Sequence, residues 1–73
     1  MNKDILKGNW KQFKGLVQEN WGKLTNDEVG QIEGRWERLV GKLQERYGYT
    51  RQEAENAVDE FLNEHQGAPR QTA

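Results

Sequence analysis

Apolar residues recur every three or four positions along most of this chain. At about 100° per residue, Leu6, Trp10, Phe13, Val17 and Trp21 share one arc of a first helix, and Leu24 continues that line just beyond a turn. Ile32, Trp36, Leu39, Val40, Leu43 and Tyr47 form a second arc, and Ala54, Ala57, Val58, Phe61 and Leu62 a third. Two tetrapeptides, "TNDE" at 25–28 and "TRQE" at 50–53, have the capping-box form. In each, the Thr hydroxyl accepts from the third amide of the helix while the Glu accepts from the amide of the Thr. Each therefore opens a helix. Gly22 and Gly48 precede the boxes, where a left-handed residue ends the previous helix without steric cost. Between Asn26 and Tyr47 the apolar arc could run as one helix, since Val29 and Ile32 lead into Trp36. Gly30 and Gly34 weigh against that, each costing about 1 kcal/mol in a helix interior. The pattern predicts a short helix near 26–32, a bend, and a helix near 34–47.

The arcs are also duplicated. "GNWKQFKGLVQENWG" (8–22) aligns with "GRWERLVGKLQERYG" (34–48) at an offset of 26, matching Gly8, Trp10, Gly15, Gln18, Glu19 and Gly22 to Gly34, Trp36, Gly41, Gln44, Glu45 and Gly48. The expectation is an all-α, four-helix domain over residues 1–65, made of two pseudo-repeated helical hairpins that bury their arcs against each other. Residues 66–73, "QGAPRQTA", lack an apolar arc and are expected to form a disordered tail.

Composition makes this a thin core. The chain has 73 residues, of which 33% are hydrophobic and 32% charged, so it lies near the lower size limit for a fold without disulfides or metal. Three Trp, two Phe and two Tyr supply the area that so few apolar positions must bury. There is no cysteine, no apolar leader in "MNKDILKGNW" and no apolar run near the roughly 18 residues of a membrane span, which together point to a cytoplasmic protein. Net charge is -1, giving no overall case for nucleic acid or an anionic membrane. The distribution is uneven, however: Lys3, Lys7, Lys11 and Lys14 crowd the start, and Glu53, Glu55, Asp59, Glu60 and Glu64 crowd the last helix. Two charged helices that face each other or are simply solvated account for this most simply.

The stretches "GNWKQFKGLVQENWGKLT", "IEG", "LVGKLQERYGY" and the following "AE" resemble the CsbD-like family of small bacterial proteins, over roughly residues 1–58. That resemblance implies two helical hairpins packed across each other in a SAM-like arrangement, and a part in the bacterial general stress response. It carries no catalytic residues, cofactor or metal ligands, so the expectation is a non-enzymatic binding or protective module.

The residues agree on the chemistry. There is no Ser or Cys nucleophile, and the single histidine, His65, excludes a His-rich metal site and sits where its charge suits a helix end. Lys7, Lys11 and Lys14 interleave with Trp10 and Phe13, the mixture of cations and stacking faces that single-stranded nucleic acid uses, but both aromatics lie on the core arc. Gly15 and Gly41 lie inside helices on the face away from that arc. They would admit a close helix backbone from within the fold or from a partner, keep the helices marginal, or be neutral products of the duplication. Lys7, Lys11, Lys14, Gly15 and Gly41 are therefore the candidate interaction surface, with a protein partner, self-association or nucleic acid as its possible occupants.

Overall fold

A computed structural model describes residues 3–66. Five helices follow one another, α1 (Lys3–Gly8), α2 (Trp10–Asn20), α3 (Asn26–Ile32), α4 (Trp36–Tyr47) and α5 (Arg51–Gln66), with no strand among the described residues. The tail expected over 66–73 lies outside them, apart from Gln66, which still belongs to α5.

The fold is all-α, but the expected first helix is two helices. Asn9 divides it with φ −119° and ψ 29°. Its N–H donates to the Ile5 carbonyl at 3.0 Å, its Nδ2 approaches the same oxygen at 3.4 Å, and its own carbonyl accepts from the amides of Gln12 and Phe13. Asparagine competes for backbone groups in this way, so it favours a junction over a helix interior. A wheel drawn from apolar residues alone does not register it.

Both capping boxes are present. Glu28 N–H donates to Thr25 Oγ1 (3.1 Å) and Thr25 N–H to Glu28 Oε1 (3.0 Å), and the Thr50–Glu53 pair repeats this at 3.1 and 2.9 Å. Gly48 is the left-handed stop that the pattern predicts, at φ +71°. Gly22 is not. Trp21, with φ −121° and ψ 79°, closes α2 instead, and Gln18 Nε2 donates to the Leu24 carbonyl (2.7 Å) across the turn.

The segment 26–47 is two helices, and the bend is made by consecutive left-handed residues, Glu33 (φ 52°) and Gly34 (φ 78°). Gly30 lies inside α3. Arg38 fastens the bend by donating through Nη1 to the Gln31 carbonyl (2.8 Å) and to Glu33 Oε1 (3.1 Å).

α4 lies at the centre, packed on α1, α3 and α5, while α2 packs on α1 and α3. The core joins the three predicted arcs: Leu6, Phe13, Val17, Trp21, Leu24, Val29, Ile32, Trp36, Leu39, Val40, Leu43, Ala54, Val58, Phe61 and Leu62 are all buried. Phe61 bridges the first and last parts of the chain, its ring 4.8 Å from Trp21 and 5.9 Å from Phe13. Trp10 is the exception among the tryptophans. It packs on the rim of the core and is only half-buried.

Candidate functional site

Lys7 stands in the last turn of α1, and Lys11 and Lys14 stand on α2, where all three are exposed. None forms an ion pair among the described residues. Between them lies the half-exposed Trp10. Of the two accounts of the charge distribution, facing helices and simple solvation, the described residues show the second for these three lysines, which are exposed and make no ion pair there.

Gly15 is exposed on α2, and Gly41 is partly covered on α4. A Cβ at either would have no heavy atom within 4 Å, so the close approach expected there from within the fold is absent. It occurs at Gly34 instead, where a Cβ would lie 2.8 Å from Lys7 Cα, 3.1 Å from Trp10 Cβ and 3.3 Å from the Leu6 carbonyl. The bend between α3 and α4 is thus seated on the α1–α2 junction, directly under the base of the lysine face. Gly41 has another role: with Gln31, Arg38, Lys42 and Glu45 it lines an open depression of about 400 Å³ between α3 and α4.

One partly buried ionisable pair joins two helices, its partners 18 residues apart in sequence. Glu28 is 8% exposed although charged. Its Oε1 completes the Thr25 box, while Oε2 accepts from Arg46 Nε at 2.6 Å and also pairs with Nη2. The Arg46 hydrogen bond, helped by the Thr25 amide, holds the Glu28 carboxyl below the usual glutamate range, and Glu28 in turn raises Arg46. The available signal was the position of Glu28, one helical turn before the buried Ile32. Arg46, 18 residues away, cannot be chosen from sequence. Both groups are engaged in tying the start of α3 to the end of α4, and Lys23 N–H donating to the Tyr47 hydroxyl (3.2 Å) makes a second tie there.

On α5, Glu53 caps Thr50 and Glu55 pairs with Arg51 (2.9 Å). Asp59, Glu60 and Glu64 have no ion-pair partner among the described residues. His65 is exposed with its ring 4.6 Å from Phe61. Among the described residues no three His, Cys, Asp or Glu side chains are grouped to hold a metal ion, and no helix is long and apolar enough to cross a membrane.

Comparison with known proteins follows the same residues. The family model described as CsbD-like matches residues 4–56. An Escherichia coli protein named UPF0337 protein YjbJ is 58% identical over 65 residues, covering 89% of this chain and 94% of its own length. A UPF0337 protein of Pectobacterium atrosepticum is 53% identical over the same shares of each chain. One from Protochlamydia amoebophila is 46% identical, over 89% of this chain and 98% of its own.

Proposed function

We propose that this chain, which belongs to the CsbD-like family, is a non-enzymatic binding or protective module of the bacterial general stress response that works in the cytoplasm through its surface. One observation carries this reading. The ionisable groups that the fold brings into close contact, Glu28 with Arg46 and Glu33 with Arg38, hold helices together, whereas Lys7, Lys11 and Lys14 stay exposed and unpaired among the described residues. The duplicated pattern of apolar positions and the two capping boxes support descent from a doubled hairpin, and with it the two-hairpin, SAM-like arrangement.

A second reading draws on Trp10, which packs on the core rim but is partly exposed beside the lysines: cations next to an aromatic side chain suit single-stranded nucleic acid. Crosslinking capture from stressed cells separates the two. The first reading expects a reproducible protein partner that is lost with the combined Lys7→Glu, Lys11→Glu and Lys14→Glu changes. Recovery of RNA or DNA, released by salt and lost with the same changes, supports the second reading. An identical set of partners from wild type and variant overturns both.

A further inference from the structure

The lysines of α1 and α2 and the acidic residues of α5 have mirrored spacings along the sequence. Lys7 and Lys14 flank Trp10 at three residues before and four after, and Glu53 and Glu60 flank Ala57 at four before and three after. Glu53 and Glu60 span about two turns of α5, about 10.5 Å at 1.5 Å per residue. Asn9 divides α1 from α2, so Lys7 and Lys14 stand on either side of the junction, where Asn9 N–H donates to the Ile5 carbonyl and Phe13 N–H to the Asn9 carbonyl, both at 3.0 Å. All four charged residues are exposed, and the two residues between them, Trp10 and Ala57, are half-buried hydrophobics packed on the core rim. Crossed antiparallel, the two faces set Lys7 against Glu60, Lys14 against Glu53 and the large Trp10 ring over the small Ala57. Lys11 stands between the two lysines, and Glu64 extends the acidic row beyond Glu60.

We propose that the lysine face of α1–α2 docks on the acidic face of α5 of a second copy of this chain. Among the described residues no ion pair joins the two faces, which leaves each open to a charge of opposite sign. A net charge of -1 means that two copies do not repel each other at long range. Each copy carries one face of each kind, so two copies joined at a single contact still present one lysine face and one acidic face. Exposed ion pairs are weak and screened by salt, so the assembly forms at high protein concentration or low ionic strength. This goes beyond the proposed stress role and does not depend on it.

Sedimentation equilibrium on the full chain tests the contact at ionic strengths of about 10 and 500 mM, which bracket strong and negligible long-range attraction. Wild type is expected to exceed its 8.5 kDa mass as concentration rises at low salt, with the association constant falling about tenfold or more at high salt. One variant carries Lys7→Glu, Lys11→Glu and Lys14→Glu, the other Glu60→Lys and Glu64→Lys. Each is expected to be monomeric alone, and an equimolar mixture to associate, since each supplies the face that the other now lacks. Circular dichroism of each variant confirms that it is folded. A wild type that stays monomeric at low salt, association that is indifferent to salt, or variants that self-associate as wild type does would each overturn the proposal. So would a monomeric wild type that binds single-stranded DNA, because the lysines would then serve a polyanion.

Discussion

At Gly34 a hydrogen stands where any other residue would drive a methyl group to 2.8 Å from the backbone of Lys7, at a φ of +78° that L side chains rarely adopt. Gly34→Ala is expected to cost about 3 kcal/mol, combining left-handed strain with overpacking against backbone. Gly15→Ala and Gly41→Ala put their methyls into open space within helices and are expected to raise stability by up to about 1 kcal/mol each. Urea denaturation of the three variants checks this, and a Gly34→Ala protein as stable as wild type would contradict the packing described. The matched glycines of the two repeats were legible in the sequence, and so was the poor helix propensity of glycine. Which glycine another backbone crosses was not, because a wheel of one helix carries no information about where a distant segment is laid. Trp10 illustrates the same limit: its arc position is that of a core residue, yet it sits where the arc meets the rim.

The helices themselves were more readable. Thr25 and Thr50 announced α3 and α5 because a capping box is a local bond pattern, complete within four residues. The break at Asn9 and the stop at Trp21 lie outside what the apolar pattern shows: Asn9 turns the chain through local bonds to the Ile5 carbonyl, and Trp21 leaves helical dihedrals while it stays on the core arc. Glu28 shows both cases, with a local cap visible in the sequence and a partner on α4 that only folding supplies. Its folded carboxyl lies below its unfolded value, so the stabilisation it gives is present above the unfolded pKa and is lost as pH falls through the folded one. Glu28→Gln keeps an acceptor for the Thr25 amide but loses the charge. The variant is expected to be less stable at neutral pH and to lose less on acidification from about pH 5 to pH 2. Thermal denaturation across that range reads the difference, and parallel curves for the two proteins would show that the Glu28–Arg46 tie does not contribute as described.

Across the whole molecule, the predicted arcs become one core with Phe61 at the join, and charge is segregated between a lysine face near the start of the chain and an acidic face on α5. The segregation was plain in the sequence. What the sequence left open was whether those charges neutralise each other inside one molecule, and the absence of such pairs among the described residues is what makes the lysine face available to a partner. The central claim, that the interior is structural and the function lies on the Lys7, Lys11 and Lys14 surface, is tested most directly by stress survival. Cells deleted for this chain are complemented with wild type or with the Lys7→Glu, Lys11→Glu and Lys14→Glu variant, matched in abundance and in helical content. Wild type is expected to restore survival and the variant to fail; restoration by the variant to the wild-type level would contradict the account.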